Sequence, residues 1–235
     1  PNSIFFDLSD VADPNNPLPR KVPNKELFCA KVGNLGIDNN THVVAYDTPG
    51  LYSAARVWWL FRLYGYDKVS ILDGGLAHWR HCEGKLTAQL SPREPRIFRS
   101  EKTRDILALK ADVFKASSSG DEILDARTPG RFSGDEPDRY PGARPGHIPK
   151  SHNLYWSHLL HSETRELLPK EKLMQCFNES GINIDTSLIL TCGSGITACI
   201  LALALDQLGK HDWKIYDGSW DEWGRDHDLP VESNT

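Results

Sequence analysis

No excess of basic charge is present in this chain. Its 235 residues carry 27 Lys and Arg against 32 Asp and Glu, a net charge of −5 at pH 7. A basic stripe for phosphates is therefore missing, and no nucleic-acid partner is expected. Long apolar runs are missing too. Leu188–Leu190 and Ile200–Leu205 are the size of a strand or a core helix, so no membrane partner is expected. Cysteine is scarce: Cys29, Cys82, Cys176, Cys192 and Cys199 are odd in number and scattered. That excludes a disulfide framework and points to a reducing compartment. No pair of cysteines, or of cysteine and histidine, has zinc-ligand spacing, so no metal is expected. What is present, 39% hydrophobic and 25% charged residues, is ordinary for a globular protein.

The chain repeats itself. Val43-Val44-Ala45-Tyr46-Asp47 and Leu188-Ile189-Leu190-Thr191-Cys192 are apolar runs ending at a polar residue, the pattern of buried parallel strands. Each is followed by a Gly-containing loop and an apolar helix, Ala54 to Tyr64 and Ala198 to Leu208. Gly65 and Gly209 stop these helices as left-handed C-terminal residues. Short strands follow, Val69–Leu72 and Lys214–Tyr216, then Asp73-Gly74-Gly75 and Asp217-Gly218-Ser219. Trp79 and Trp223 each lie six residues past the Asp. Strand, helix and strand with short connections make a parallel crossover unit, so each copy is expected to be an α/β domain.

The second copy also shows a beginning. A helix is expected to open near Asp112-Val113, and a strand over Glu122–Arg127. Gly146-His147-Ile148-Pro149 then leads into Asn153–Trp156. In the first copy only the end of this is visible, where Pro1-Asn2-Ser3-Ile4-Phe5-Phe6 parallels Pro149–Leu154. The first domain is thus expected to lack its N-terminal part. Two tandem α/β domains, each a parallel sheet flanked by helices, are expected: residues 1–90, a linker over 91–105 within the polar stretch from Gly84 to Arg104, and residues 106–235.

The two copies diverge at the corner between strand and helix, where open α/β sheets place their ligands. The second copy has Cys192, then Gly193-Ser194-Gly195-Ile196-Thr197. A curled Gly-rich loop aims backbone N–H groups inward and the helix start adds partial positive charge, so both favour a thiolate. The same loop would cradle an anion on that sulfur, with the Ser194 and Thr197 hydroxyls as donors. An isolated cysteine is more often a buried structural thiol, and glycines alone mark any anion-binding turn. Cys, Gly-Ser-Gly and a strand end together favour a nucleophile. Asp47 at the first corner offers no soft nucleophile, so the first domain is expected to be catalytically silent. A Cys-dependent phosphatase would close this loop with Arg, but Ala198 stands there. A papain-like pair would need a base, for which His147, His152, His158 and His161 are candidates by composition only.

Cys192-Gly-Ser-Gly-Ile-Thr-Ala198, the run from Asp217-Gly-Ser-Trp to Trp223, and Gly146-His-Ile-Pro149 together resemble the tandem-domain rhodanese family, the 3-mercaptopyruvate and thiosulfate sulfurtransferases. The resemblance implies two rhodanese-like domains with the site between them and a Cys192 persulfide. It implies sulfur transfer from 3-mercaptopyruvate, with release of pyruvate, to a thiol acceptor such as thioredoxin or to cyanide. Catalytic roles fall on Cys192 and Ser194, and the persulfide cradle on Gly193, Ser194, Gly195, Ile196 and Thr197. Substrate carboxylate binding falls on Arg131, and on Arg139 if the Pro-rich loop shifts by one residue. A bidentate guanidinium suits that task. No cofactor is implied, and a monomer of the cytoplasm or mitochondrion is expected.

This sequence departs from the family pattern at three places. Tyr140 stands where a second arginine is usual, Ser9 where an acidic residue is usual, and Arg20 where a histidine is usual. Ser9 and Arg20 cannot exchange protons near neutral pH. Three readings stay open: a mercaptopyruvate sulfurtransferase, a thiosulfate-preferring rhodanese, and a non-catalytic rhodanese-type binding or regulatory module. The neutral loop favours the first, since thiosulfate is a dianion. Trp79, Trp220 and Trp223 are expected to pack the domain bases, and Asp73 and Asp217 to fix turns.

Overall fold

The computed structural model describes residues 2–119 and 121–233. Pro1, the first residue of the expected repeat, lies outside the described residues. The chain divides into two units, Pro1–Asp105 with Thr164–Glu166, and Ile106–Glu163 with Leu167–Thr235.

The first unit runs α1 (Leu8–Val11), α2 (Lys25–Asn34), β1 (Val43–Ala45), α3 (Ala54–Leu63), β2 (Val69–Ile71) and α4 (Gly75–His81). β1 and β2 pair in parallel, Val43 beside Val69. From Ala54 through Phe61, α3 is buried at every position, as a helix flanked on both sides must be. Gly65 ends it with φ 75°, and the Tyr66 N–H reaches back to Phe61 O at 2.9 Å. Residues 91–105, expected as a linker, have no regular structure but are anchored on this unit. Phe98 is buried in edge contact with Phe28, Phe61 and Tyr66, and the Arg96 N–H donates to Gly33 O at 2.8 Å. Polar composition marked a linker, while one aromatic residue decided where the segment packs.

The second unit runs β3 (Leu107–Ala108), α5 (Lys110–Ser119), β4 (Glu122–Asp125), α6 (Pro129–Ser133), β5 (His152–Asn153), a 3-10 turn (Trp156–Leu159), α7 (Lys170–Glu179), β6 (Leu188–Thr191), α8 (Ala198–Gln207), β7 (Trp213–Tyr216) and α9 (Ser219–Trp223). Its sheet is parallel throughout, in the order β3-β7-β6-β4-β5. β7, β6 and β4 are neighbours, so their carboxyl ends lie side by side, and that edge gathers the side chains of interest. α8 repeats α3: Ala198 to Leu205 are all buried. Gly209 has φ 75°, and the Lys210 N–H returns to Leu205 O at 2.9 Å.

Each copy is thus a parallel sheet flanked by helices, as the repeat implied. Trp220 and Trp223 are fully buried, but Trp79 is 39% exposed. Its indole N–H caps Lys85 O at 3.1 Å and its ring covers the chain at Gly84. It serves the turn after α4 rather than a core. Among the described residues no helix is long and apolar enough to cross a membrane.

Candidate active site

Cys192 follows directly on β6, with only 1% of its surface exposed. Three short connections fix it. Its N–H donates to Ser219 Oγ at 3.2 Å. Its carbonyl accepts from the Trp220 N–H at 3.0 Å, and the carbonyl of Gly193 accepts from the Asp221 N–H at 2.8 Å. The loop after β6 is therefore stapled to the start of α9, which follows the adjacent strand β7. The chain then curls back, and the Gly195 N–H points at Cys192 Sγ from 3.2 Å. This is the inward backbone donor that the Gly-rich sequence implied. Gly195 has φ 78°, and a Cβ there would lie 2.7 Å from Asp217 O, so the curl admits only glycine. Ser194, Ile196 and Thr197 are all buried in the loop, and Thr197 precedes the first turn of α8.

Ser219 was not singled out from the sequence. Its Oγ donates to Tyr216 O at 2.7 Å, accepts from Thr191 Oγ1 at 3.3 Å and from the Cys192 N–H, and lies 4.0 Å from Cys192 Sγ. It holds φ 52°, a region costly for any residue with a Cβ. The signal was in the repeat: the equivalent residue is Gly75, with φ 59°. The backbone frame also recurs, since the Leu76 N–H donates to Asp47 O at 2.9 Å as the Trp220 N–H does to Cys192 O.

The first copy's corner is occupied by its own carboxylate. Asp47 Oδ2 accepts from the N–H of Ser53 at 2.5 Å, from Ser53 Oγ at 3.0 Å and from the Ala54 N–H at 2.9 Å. The carboxylate of the first copy is held by donors at the start of α3, whereas the sulfur of the second is met by the N–H of Gly195 within the loop.

From β4 the chain enters a buried ion-pair cluster. Arg127 pairs with Asp125 at 2.7 Å and Asp138 at 2.9 Å, all three side chains at most 2% exposed. Its guanidinium lies 4.3 Å from the Trp220 ring and donates to Gly146 O at 2.9 Å. Asp138 also accepts from Arg131, 2.6 Å from Nη2 and 3.3 Å from Nε. Burial works to raise the Asp138 carboxyl, but the two guanidiniums outweigh it and hold it below the usual carboxylate range. Arg131 is thereby aimed at the loop. A Cβ on Gly193 would come 3.0 Å from Arg131 Nη2, and it would run into the Tyr140 hydroxyl. Arg131 spends two of its five N–H groups on Asp138.

Tyr140, not Arg139, reaches the loop. The Arg139 side chain is exposed, and among the described residues only its backbone N–H is engaged, with Asp138 Oδ1 at 2.7 Å. The Tyr140 hydroxyl is hydrogen-bonded with Ser194, and its ring lies 5.9 Å from the Arg131 guanidinium. The histidines have other occupations. His147 is buried, stacked on Phe132 with ring centroids 3.9 Å apart, with Nδ1 2.8 Å from Phe132 O. His152 Nδ1 faces Ser180 O at 3.0 Å. Ser9 and Arg20 are exposed residues of the first unit. Among the described residues no group of acidic, histidine or cysteine side chains could hold a metal, and no disulfide links the free cysteines, Cys199 among them.

Comparison with known proteins gives the following. A family model for the rhodanese-like domain matches residues 1–82 and 110–226. Over 226 residues the chain is 40% identical to the 3-mercaptopyruvate sulfurtransferase of Homo sapiens, covering 95% of this chain and 76% of that protein. Over 233 residues it is 37% identical to the 3-mercaptopyruvate sulfurtransferase of Escherichia coli strain K12, covering 99% of this chain and 82% of that one. Among solved structures, the Tum1 protein of Saccharomyces cerevisiae superposes with a TM-score of 0.90 at 28% identity, covering all of this chain and 83% of that chain.

Proposed function

The chain belongs to the rhodanese-like family, and we propose that within it this protein is a 3-mercaptopyruvate sulfurtransferase working through a Cys192 persulfide. The observation that carries this reading is the Gly195 N–H directed at Cys192 Sγ inside a buried loop. Such a cradle accommodates an anionic sulfur, and a persulfide is one sulfur longer than the thiolate that precedes it.

In the first step the Cys192 thiolate attacks the sulfur of 3-mercaptopyruvate. An S–S bond forms and the S–C bond breaks, and the carbon leaves with the electron pair as the enolate of pyruvate. That enolate takes up the proton of the former thiol and departs as pyruvate. In the second step a thiol acceptor, such as thioredoxin, attacks the outer sulfur. The Cys192 thiolate is the leaving group and the acceptor carries away the persulfide. Cyanide takes the sulfur in the same way to give thiocyanate.

Arg131, oriented by Asp138, binds the donor's carboxylate. Ser194, hydrogen-bonded with Tyr140, presents its hydroxyl to the transferring sulfur. Ile196 and Thr197 complete the cradle at the start of α8. Arg139 contributes only if its exposed side chain turns inward. The first domain takes no part in sulfur transfer at its own corner, because Asp47 fills that site. The test is pyruvate release from 3-mercaptopyruvate in the presence of a dithiol acceptor, with thiosulfate in parallel. Release faster than thiosulfate turnover, and absent in Cys192→Ser, is expected. Turnover of thiosulfate alone would make the protein a thiosulfate-preferring rhodanese, and turnover of neither would leave a binding module.

A further inference from the structure

Two cysteines meet at the loop after β6, and the sulfur-transfer steps use one of them. The other, Cys199, sits in the first turn of α8 and is fully buried. Its thiol donates to Gly195 O at 3.4 Å. The winding of the chain explains this bond. The Cys199 N–H donates three residues back, to Ile196 O at 3.2 Å, and the Ile200 N–H likewise to Thr197 O at 3.0 Å. That is the tight pattern common at helix starts. A regular α-helical turn would bring the Cys199 N–H to Gly195 O, four residues back. Here the Cys199 side chain supplies that bond.

Gly195 is thereby held on both sides of its Cα. Its N–H, in the preceding peptide, faces Cys192 Sγ from 3.2 Å, and its carbonyl, in the following peptide, faces Cys199 Sγ. Two dihedrals alone join those peptide planes, so a bond that fixes one plane limits where the other points. At φ 78° the residue is a glycine, with the widest freedom to turn.

We propose that Cys199 is a positioning residue for sulfur transfer: its thiol, hydrogen-bonded to Gly195 O, keeps the Gly195 N–H aimed at Cys192 Sγ. The proposal rests on the sulfurtransferase reading and adds a residue that acts on the reacting sulfur through the loop backbone. A cysteine kept only for packing would be replaceable by any small apolar side chain, and that is the alternative to be separated.

The test compares wild type with Cys199→Ser, which keeps a donor, and with Cys199→Ala and Cys199→Val, which remove it with less and with more bulk. The readout is the rate at which iodoacetamide alkylates Cys192, located by peptide fragmentation and followed against pH, since the thiolate is the reacting form. Arg131, Tyr140, Asp217 and Asp221, which stand around the loop, are the same in every variant. Cys199→Ala and Cys199→Val are expected to slow alkylation near neutral pH by about threefold, as loss of one weak S–H bond should, and to displace the profile to higher pH. Cys199→Ser should stay within about twofold of wild type, and kcat/KM for 3-mercaptopyruvate should follow the same order. The proposal is overturned if Cys199→Ser falls as far as the other two, or if no variant moves the profile. A change that follows bulk, with Cys199→Ala and Cys199→Val moving in opposite directions, overturns it as well. If wild type turns over neither mercaptopyruvate nor thiosulfate, the sulfurtransferase reading fails, and the alkylation profile alone decides. A displaced profile rescued by serine keeps Cys199 as the residue that aims the loop, and an undisplaced one removes it.

Discussion

At Cys192 and its neighbour Ser219, backbone conformation and chemistry are tied together. The Ser219 hydroxyl satisfies the Cys192 N–H, which is sealed from water along with the cysteine. Ser219 does so from a left-handed backbone that the first copy assigns to Gly75. Ser219→Ala keeps that backbone cost and orphans the N–H, so a loss of about 1–3 kcal/mol is expected. Ser219→Gly loses the same hydroxyl but relieves the left-handed conformation, and its loss should be smaller by about 1 kcal/mol. Urea denaturation of both variants measures the difference, and equal losses would show that φ 52° carries no strain here. Cys192 and its glycines were legible in the sequence because their chemistry is written in consecutive residues. Ser219 was not, because its partners Thr191 and Cys192 arrive from another strand, and Asp138 was not, because an irregular loop brings it back onto Arg127 and Arg131. Tyr140 was visible only as a missing arginine; that its hydroxyl meets Ser194 depends on the path of an irregular loop.

At the scale of elements, the strand-helix-strand repeat was readable from apolar runs and stopping glycines. β6, buried at Leu188, Leu190 and Thr191, leaves the first signature, and helices flanked on both sides leave the second. The run expected as a buried strand in the first copy is buried only at Ala45, with Val44 52% exposed. The loops were less readable. Residues 91–105 read as linker on composition, yet Phe98 anchors them; Trp79 read as core and caps a turn. Between β4 and β5 the Arg127–Asp138–Arg131 cluster has no periodicity to betray it, yet it orients the guanidinium beside the loop. Asp138→Asn would leave buried Arg127 short of a partner. A loss of about 3–5 kcal/mol is expected, as when one member of a buried ion pair is removed. Thermal unfolding monitored by near-UV circular dichroism checks this, and a loss below about 1 kcal/mol would contradict a structural role for the pair. In the first copy, Asp47→Ala strips the start of α3 of its acceptor. It should cost about 1–2 kcal/mol in the same assay and leave pyruvate release intact.

Across the whole molecule, stability should depend on acid in a direction the ion-pair cluster sets. Asp138 titrates below its ordinary value of 3.8 in the folded chain. The unfolded chain therefore binds the proton more readily, and stability rises with pH through that range. The contribution is complete above about pH 5 and is lost as pH falls through the folded value. Denaturation midpoints in this window should fall less steeply with acid in Asp138→Asn than in wild type; parallel slopes would remove Asp138 from the account. The two copies share one frame, and a single residue after the equivalent strand separates them. One corner is closed by a carboxylate and the other is built around a sulfur. The most direct measurement of that difference is intact mass after brief exposure to 3-mercaptopyruvate without an acceptor. The account predicts a gain of one sulfur, located on the Cys192 peptide, reversed by a thiol and absent in Cys192→Ser. A folded, reduced protein that gains no sulfur, or gains it in Cys192→Ser as well, would contradict the account.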